Sequence, residues 1–363
     1  MSENMHPISV TLTTWYGKNK RDLPWRHTGN PFRIWLSEII LQQTRVQQGL
    51  PYYNKFVSRF ENIMELAKAP EDEILRLWQG LGYYSRAKNL HQCARYVSTE
   101  LNGEFPKTYR ELIKLPGIGS YSAAAIASIA FNESVPAIDG NVFRVLSRIF
   151  GIKNDIAQSK SRVVFFEQAF SMMPGISPAV FNQTMMEFGA LQCIPKKPDS
   201  QNCPVAEMCC AFLNKEQDLF PVNNKKLRIR KRYFNYPVFF HKNRILMKKR
   251  DNSDIWKGLY DFHLLEFDHQ MNQESLVKKI NEEISPSILK SAFIDQSKDY
   301  QHILTHQRIH ARFFKIALKD STFTKKLATK LNLIPFSKTE IEKIPKPRLI
   351  EKYLIDEGNL LSC

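Results

Sequence analysis

The sequence predicts a mainly α-helical protein of two domains, with a helical domain first and a smaller α+β domain after it. A chain of 363 residues is long for one hydrophobic core, which favours two domains. Apolar residues recur at intervals of three and four through most of residues 1–222, as on the buried face of a helix. Beyond residue 233, shorter runs rich in β-forming residues replace that pattern. We therefore place the domains at 1–222 and 233–363, joined by a basic linker, 223–232, that contains KKLRIRKR.

The first domain is expected to consist almost entirely of helices. The apolar periodicity predicts helices over 32–46, 53–66, 72–79, 86–100, 108–114, 120–130, 141–150, 161–172 and 178–190. Prolines mark the expected helix boundaries, namely Pro24, Pro31, Pro51, Pro70, Pro106, Pro136, Pro174 and Pro178. In the second domain the expected strands cover 236–240, 244–248, 260–265 and 310–318, and the expected helices lie near 274–284 and 339–355.

The composition favours a nucleic-acid partner. The chain carries 52 Lys and Arg against 36 Asp and Glu, a formal net charge of +16, and such a surface attracts polyanions. The start of the chain lacks the apolar core of a signal peptide, and no apolar run reaches the roughly eighteen residues of a membrane span. Three of the six cysteines lie within Cys203–Cys210, which argues against a secreted disulfide framework. We therefore expect a soluble cytoplasmic protein with no membrane partner.

The sequence Leu-Pro-Gly-Ile-Gly that starts at Leu115 predicts a tight turn between two helices. Pro116 donates no backbone hydrogen bond, and Gly117 and Gly119 can adopt positive φ at little steric cost. The small-residue helix that begins near Ser120 would present free N–H groups and its positive dipole end to a phosphate oxygen. The turn therefore favours a DNA-backbone site, and an ordinary helix–helix turn is the alternative.

Two carboxylates are candidates for catalysis. Glu38 lies on a predicted helix beside the apolar Ile34 and Leu41, so removal from water should raise its pKa and keep it protonated near neutral pH. Asp139 starts a later helix, whose first N–H groups would hold its carboxylate ionised. An acid near an ionised carboxylate is the arrangement that cleavage of a glycosidic bond requires. The alternatives are a solvated helix glutamate and an ordinary Asp N-cap.

The hairpin and Asp139 resemble the helix-hairpin-helix base-excision glycosylases, and further motifs make the resemblance specific. Those motifs are LPWR at 23–26, WLSE at 35–38, LQQT at 41–44, LWQGLGYYSRA at 77–87, DGNV at 139–142, FNQ at 181–183 and GA at 189–190. Together they are similar to the MutY-type adenine DNA glycosylases over essentially the whole first domain. The resemblance implies a two-part helix-hairpin-helix glycosylase domain that removes adenine mispaired with 8-oxoguanine or guanine.

The resemblance also implies catalytic roles. Glu38 matches the acid that protonates adenine N7 and helps to activate water, and Asp139 matches the carboxylate that stabilises the sugar cation. Tyr121 and Asn141 match residues that support the catalytic site. Relatives that resemble endonuclease III carry a Schiff-base lysine at the position of Tyr121, so a tyrosine there predicts a monofunctional glycosylase.

The family further implies how DNA is held. Arg26 matches a residue that lines the adenine pocket, and Gln43 and Tyr83 match the wedge that props the duplex while adenine is flipped out. Flipping is physically required, because the glycosidic carbon is out of reach inside the base stack. Without the family, Gln43 and Tyr83 would be ordinary surface residues. The implied partner is double-stranded DNA that contains A·8-oxoguanine or A·G mispairs, bound by a monomer.

The loop from Cys193 to Cys209 resembles the one that binds a 4Fe–4S cluster in this family. The family has four cysteines there, and Cys193, Cys203 and Cys209 match, while Ser200 stands at the second position. Thiolates suit iron–sulfur clusters. Three arrangements stay open: serine alkoxide or water as the fourth ligand, a shift of Cys210 into the set, or a loop that packs without a cluster.

The second domain resembles a Nudix-like domain through two motifs, WKGLY and HILTH. The glutamate-rich metal-binding signature of active Nudix hydrolases does not follow Gly258, so nucleotide hydrolysis is not expected. By family position, Thr305 and His306 belong to the loop that senses 8-oxoguanine. The sequence alone shows only a turn with an exposed histidine, and Leu304 stands where the family often has an aromatic residue.

The leading hypothesis is therefore a monofunctional adenine DNA glycosylase of base excision repair. One alternative is another glycosylase of the same superfamily, acting on oxidised pyrimidines or on thymine in G·T mispairs. The second domain, Tyr121 and the LQQT motif argue against it. The other alternative is a DNA-binding protein that has lost catalysis, and the presence of both Glu38 and Asp139 argues against that. We place the enzyme in the cytoplasm, associated with the nucleoid.

Overall fold

The structure is a computed structural model that describes residues 5–225, 228–251, 254–283 and 294–357. It confirms a helical region followed by a smaller α+β region. The chain divides into two compact units, Met1–Lys68 with Asn89–Lys226 and Ala69–Lys88 with Leu227–Cys363. The segment Ala69–Lys88 therefore groups with the C-terminal residues and is described with the second unit. Residues 226 and 227 of the predicted linker lie outside the described residues.

Helices account for most of the regular structure before residue 214. Their bounds are α1 (Pro7–Asn19), α2 (Pro31–Leu41), α3 (Val46–Arg59), α4 (Ile63–Lys68), α5 (Glu71–Leu77), α6 (Tyr84–Glu100), α7 (Tyr109–Leu112), α8 (Ser120–Phe131), α9 (Gly140–Phe150), α10 (Ser161–Ser171), α11 (Pro178–Leu191) and α12 (Cys210–Leu213). α5 and the start of α6 belong to the second unit, and the other helices to the first. No helix anywhere in the described residues is both long and apolar enough to cross a bilayer.

The prediction of one helix over 32–46 is wrong at its C-terminal end. α2 ends at Leu41, and Gln43 has a φ of 56°, which lies outside the right-handed helical region. α3 then begins at Val46 and runs through Pro51, where the sequence pattern predicts a boundary. Because Pro51 lies near the helix start, the helix loses one early backbone hydrogen bond and continues. α1 is not predicted, although its apolar side chains recur every four residues and are buried.

The first unit buries a core where four helices meet. α1, α9, α10 and α11 pack around apolar side chains that include Leu12, Val145, Phe165, Met172 and Phe188. Burial of each such side chain contributes roughly 1.5–3 kcal/mol to the free energy of folding. This packing holds α9 against α11 and thereby positions the start of α9, where Asp139 lies.

The second unit contains a mixed sheet with eight strands among its described residues. The strands are β1 (Arg230–His241), β2 (Arg244–Lys249), β3 (Tyr260–Asp261), β4 (Leu265–Phe267), β5 (Ile294–Gln296), β6 (Tyr300–Ile303), β7 (Gln307–Ala317) and β8 (Ile334–Phe336). The central order is β3-β2-β1-β7-β5, with β4 paired to β1, β6 to β7 and β8 to β2. β1 and β7 are parallel, in register from Arg230 opposite Gln307 to Phe240 opposite Ala317, and the other described pairs are antiparallel.

Four helices accompany the described part of this sheet: α13 (Gln273–Glu283), α14 (Ser321–Leu331), α15 (Lys338–Lys343) and α16 (Arg348–Asp356). The predicted helix 339–355 is two helices, because Pro345 and Pro347 interrupt it. α14 is not predicted, and residue 284 of the predicted helix 274–284 lies outside the described residues. β1 begins at Arg230, inside the segment predicted as a linker, since the side chain of Arg232 is buried and ion-paired.

Candidate active site

A cleft of about 1250 Å³ opens in the first unit among α2, α8, α9 and α11. Its lining brings together seven of the residues that the sequence singles out: Glu38, Tyr121, Asp139, Asn141, Arg26, Gln43 and Gly119. These residues come from elements that are distant in sequence, so the tertiary fold assembles them. A concave site with several converging polar groups is the usual location of enzyme chemistry.

Glu38 is buried on the inner face of α2, with 7% of its surface exposed. The side chain of Asn30 caps the start of this helix and fixes its direction. Burial raises the pKa of the Glu38 carboxyl to about 7, a hydrogen bond from Tyr121 opposes the rise, and the nearby charge of Asp139 adds to it. Glu38 can therefore hold a proton at neutral pH and still release it.

Asp139 is the N-cap of α9. Its Oδ1 accepts hydrogen bonds from the backbone N–H groups of Asn141 at 2.9 Å and Val142 at 2.8 Å, and its Oδ2 accepts one from Asn141 Nδ2 at 2.8 Å. Burial raises the pKa of Asp139, whereas these hydrogen bonds and the charge of Arg144 lower it, and the net shift is upward. The cap fixes the orientation of the carboxyl group, while its buried setting works against the ionisation that the sequence predicts.

Tyr121 is the second residue of α8 and lies beside both carboxyl groups. Its hydroxyl lies 2.9 Å from Met186 Sδ and also within hydrogen-bonding reach of Glu38, so its one proton can be donated to either of them. Burial and the charges of Glu38 and Asp139 raise the pKa of Tyr121 well above its usual value, so the phenol stays a neutral donor. The residues that line the cleft, all of them in the described part of the chain, include arginines but no lysine.

Glu187 on α11 is a buried carboxylate of the cleft that sequence reasoning missed. Arg26 donates to both of its oxygens, through Nη1 at 2.9 Å and Nη2 at 2.6 Å, and Arg21 does so through Nε at 3.0 Å and Nη2 at 2.6 Å. Burial alone would raise the pKa of Glu187, but the hydrogen bonds from Arg21 and Arg26 lower it to about 2. Its only sequence signal is one acidic residue within the largely apolar run FNQTMMEFGAL.

Arg144 and one close backbone approach tie α9 to α11. Nη2 of Arg144 donates to the carbonyl of Gly189 at 2.7 Å and to Asn141 Oδ1 at 2.9 Å, and Nε donates to the carbonyl of Cys193 at 2.7 Å. A Cβ atom added at Gly189 would lie 2.6 Å from the Cβ of Asn141. A glycine is therefore needed where α11 passes the start of α9.

The hairpin that starts at Leu115 joins α7 to α8. Gly117 has a φ of 73°, and a Cβ there would lie 2.5 Å from the Cβ of Asn89, so backbone and space both require glycine. Gly119 is the N-cap of α8 and has a φ of −90°. The sequence predicts that both glycines can adopt a positive φ, and of the two only Gly117 does so. A Cβ at Gly119 would meet no atom within 4 Å, which leaves the free N–H groups at the start of α8 approachable.

The predicted DNA-contact residues divide between the two units. Gln43 lines the cleft, whereas Tyr83, Thr305 and His306 belong to the second unit, where all three are exposed. Tyr83 has a φ of 49°, and its hydroxyl is hydrogen-bonded to Thr305 Oγ1 at 2.5 Å. The structure thus places the predicted wedge residue Tyr83 directly beside the turn predicted to sense 8-oxoguanine.

The four positions of the cysteine loop converge on a small pocket in the first unit. Cys193, Ser200, Cys203 and Cys209 line it together with the buried Arg148. Arg148 donates hydrogen bonds to three backbone carbonyls around the pocket and lies 3.5 Å from Cys193 Sγ through Nη1. Burial raises the pKa of Cys203 to about 11 and also raises that of Cys209, so both thiols are protonated at neutral pH unless a cation binds them.

This set of side chains fits an iron–sulfur cluster. Three thiols and one hydroxyl face one pocket, and the Arg148 guanidinium would balance part of the negative charge of bound thiolates. No group of three or more His, Cys, Asp or Glu residues within the described ranges is arranged to hold a single metal ion. A cluster differs in this respect, because each of its ligands binds a different iron.

Known families and proteins match the chain over both regions. Residues 36–165 match the HhH-GPD superfamily of base excision DNA repair proteins, and residues 235–356 match the NUDIX domain family. An adenine DNA glycosylase of Buchnera aphidicola subsp. Baizongia pistaciae (strain Bp) is 38% identical over 304 residues, which cover 83% of each chain. An adenine DNA glycosylase of Homo sapiens is 39% identical over 217 residues, which cover 57% of this chain and 40% of the human protein.

Two solved structures share the fold of part of the chain. A thermostable thymine-DNA glycosylase matches with a TM-score of 0.53 and 29% identity, over 57% of this chain and 95% of that one. Endonuclease III in a non-covalent complex with DNA matches with a TM-score of 0.50 and 20% identity, over 57% of this chain and 94% of that one. A shared fold does not by itself identify the base that is removed.

Proposed function

Because the chain belongs to the adenine DNA glycosylase family, we propose that it hydrolyses the N-glycosidic bond of adenine mispaired with 8-oxoguanine or guanine in double-stranded DNA. The family makes it a hydrolase that acts on N-glycosyl bonds. The finer proposal is carried by one observation: two carboxyl groups, those of the buried Glu38 and the half-buried Asp139, line the same cleft beside the neutral donor Tyr121. Asn141 supports the pair, because it donates two hydrogen bonds to Asp139.

The proposed chemistry divides the work between the two carboxyl groups. Glu38, whose pKa burial raises to about 7, donates its proton to adenine N7 and makes the base a better leaving group. As the C1′–N9 bond breaks, positive charge develops on the sugar, and the carboxylate of Asp139 stabilises it. Water then adds to C1′, and Glu38 recovers its proton from that water. The products are free adenine and an abasic site.

The pocket for the flipped adenine is proposed beside Arg26. Its guanidinium lies in the cleft and is held in one place by the two oxygens of Glu187. The N–H groups at the start of α8 would bind a backbone phosphate, and the side chains of Gln43 and Tyr83 would fill the space that adenine leaves. Because Tyr121 lines the cleft at the position where relatives that resemble endonuclease III carry the Schiff-base lysine, the proposed enzyme is monofunctional.

The proposal also covers the roles of the two domains, the residues that contact 8-oxoguanine, the oligomeric state and the location of the enzyme. Residues 1–222 form the glycosylase domain and residues 233–363 the Nudix-like domain that recognises 8-oxoguanine, with 223–232 between them. Thr305 and His306 contact the 8-oxoguanine base. The enzyme acts as a monomer on DNA in the cytoplasm, associated with the nucleoid. The net charge of +16 supports a polyanionic partner.

A panel of labelled duplexes tests this function. Single-turnover reactions would follow release of adenine opposite 8-oxoguanine, guanine or thymine, with alkali used to reveal abasic sites. We expect fast release opposite 8-oxoguanine, slower release opposite guanine, and no strand break before alkali. Release of thymine from G·T or of an oxidised pyrimidine would instead assign a different glycosylase. Tight duplex binding without any cleavage would indicate a DNA-binding protein that has lost catalysis. Borohydride trapping of the enzyme on DNA would contradict the monofunctional assignment.

We also propose that the cysteine loop holds a 4Fe–4S cluster with three thiolates and Ser200 at the fourth position. The convergence of these side chains with Arg148 supports it. When bound, the cluster would hold the loop in one conformation. Iron and sulfide analysis of anaerobically purified protein tests the proposal, with Ser200→Cys as the matched variant. Four irons in both proteins are expected, and an iron-free wild type beside an iron-loaded Ser200→Cys variant would show that serine does not support the cluster.

A further inference from the structure

The turn between β6 and β7 carries the two exposed residues proposed to contact 8-oxoguanine. Leu304 and Gln307 exchange backbone hydrogen bonds at 2.9 and 3.4 Å, so Thr305 and His306 form a two-residue hairpin loop. Such loops normally use turns with positive φ, which match the twist of the flanking strands. Neither Thr305 nor His306, both described, has a positive φ. The turn therefore lacks the backbone conformation that best matches the strand twist, so contacts with the flanking strands contribute to its position.

Arg232 on β1 lies at the base of this turn. It is 4% exposed, and its guanidinium pairs with two carboxylates, Asp254 at 2.9 and 2.6 Å and Glu266 at 2.7 and 2.5 Å. Nη1 also donates to Oε1 of Gln307 at 3.0 Å. A buried guanidinium with two bidentate partners has a fixed position. Arg232 is therefore a rigid anchor for the side chain of Gln307.

Gln307 is the residue that connects the anchor to the turn. It is the first residue of β7, directly after the hairpin loop, and its backbone closes the loop with Leu304. Arg308 Nη1 adds a hydrogen bond to the carbonyl of Leu304 at 2.6 Å, and the backbone N–H of Arg230 donates to the carbonyl of His306 at 2.9 Å. Among these contacts, the hydrogen bond from Arg232 to the side-chain amide of Gln307 is the one that connects the turn to the buried ion pairs of Arg232 with Asp254 and Glu266.

We propose that Gln307, anchored by Arg232, is a positioning residue that sets the enzyme's preference for 8-oxoguanine over guanine opposite adenine. The inference rests on the proposed function. Gln307 acts through the turn: it holds Thr305 and His306 in the conformation that meets the base. Removing the amide leaves Arg232 paired with Asp254 and Glu266, so no buried charge loses its partner and the change stays local.

The test compares two variants at this position with a matched control. Gln307→Leu keeps the approximate size and removes the acceptor, whereas Gln307→Glu keeps an acceptor oxygen for Arg232. Gln301→Leu makes the same change on β6, at an exposed side chain. For each full-length protein, single-turnover rates and duplex affinities would be measured for adenine opposite 8-oxoguanine and opposite guanine, together with thermal unfolding.

The expected result is a selective loss of discrimination. In Gln307→Leu the preference for 8-oxoguanine should fall roughly threefold to tenfold, the range of one lost hydrogen bond of ordinary strength, while the rate opposite guanine is unchanged. Gln307→Glu and Gln301→Leu should keep the wild-type preference. An unchanged preference in Gln307→Leu, or an equal loss opposite both bases, would overturn the inference. A wild-type enzyme that does not prefer 8-oxoguanine would instead overturn the proposed function.

Discussion

Gly189 on α11 lies against Asn141 at the start of α9, so closely that a Cβ at residue 189 would come within 2.6 Å of the asparagine Cβ. Asn141 in turn donates two hydrogen bonds to the carboxyl group of Asp139. Because residue 189 has no side chain, Asn141 can pack against α11 and hold Asp139 in its observed position. Asp139 is the carboxylate proposed to stabilise the sugar cation.

Gly189→Ala should impair catalysis although alanine is the better helix former. Alanine favours a helix interior by about 1 kcal/mol over glycine, but here its methyl group would push Asn141 and displace Asp139. We expect the single-turnover rate to fall roughly tenfold to a hundredfold, because small displacements of catalytic groups have large effects. Gly17→Ala, in α1 with no atom within 4 Å of the added Cβ, is the control and should keep full activity. A wild-type rate in Gly189→Ala would show that the added methyl group does not displace Asp139 enough to affect catalysis.

Glu38→Gln should make the folded protein more stable at alkaline pH while it removes activity. Burial raises the pKa of Glu38 from 4.5 to about 7, so the buried group favours the protonated form. Its stabilising contribution is complete below the unfolded pKa and is lost as the pH rises through 7. Glutamine resembles the protonated form and does not ionise, so the variant should gain up to about 3 kcal/mol relative to wild type between pH 5 and 8.

Urea unfolding of both proteins at pH 5 and pH 8 measures this gain. A difference in unfolding free energy that is the same at the two pH values would mean that Glu38 does not titrate in this range. Activity provides a second readout: the single-turnover rate of the wild type should decline on the alkaline side of pH 7, where Glu38 loses the proton that it is proposed to donate.

The effect of Glu187→Gln on the free energy of unfolding should depend on pH in the opposite sense to the effect of Glu38→Gln. The hydrogen bonds from Arg21 and Arg26 outweigh burial and lower the pKa of Glu187 from 4.5 to about 2. The resulting stability is present above pH 4.5 and is lost as the pH falls through 2. The variant should therefore be less stable at pH 7 by about 2–3 kcal/mol, and the deficit should shrink below pH 4.5.

The surface pair of Glu340 with Arg244 supplies the control for that experiment. Both side chains are about half exposed, so Glu340→Gln should change stability little at any pH. Chemical unfolding at pH 7 and pH 3 would separate the two variants. A Glu187→Gln deficit that does not depend on pH would indicate lost packing rather than a lost ion pair.

The sequence predicts those site residues whose surroundings are local. Apolar neighbours one helical turn away predict the burial of Glu38, and the position before Gly140 predicts that Asp139 caps a helix. Both features depend on residues a few positions apart, so helical periodicity and capping preferences reveal them. Gly117 is predictable for the same reason, since its positive φ belongs to a tight turn.

Features that depend on distant partners are not predictable from the sequence in this way. Glu187 is held by Arg21 and Arg26, which precede it by most of the first domain. Arg232 lies in a basic run that predicts a solvated linker, yet its partners Asp254 and Glu266 bury it within the sheet. A run of charges has the same local pattern whether or not distant carboxylates pair with it.

The carboxylate of Asp139 is proposed to take part directly in adenine excision. The most direct test of this role is the single-turnover rate on an A·8-oxoguanine duplex for wild type, Asp139→Asn and Asp320→Asn. Asparagine caps helices as well as aspartate does, so both variants should fold. At residue 139 the change removes the charge and the oxygen that accepts from Asn141 Nδ2, while one oxygen remains to cap the helix. Asp320 caps α14 in the second unit and provides the matched control. We predict a loss of at least about a thousandfold in Asp139→Asn and none in Asp320→Asn. An Asp139→Asn rate within about tenfold of wild type would show that excision does not need the charge of this carboxylate.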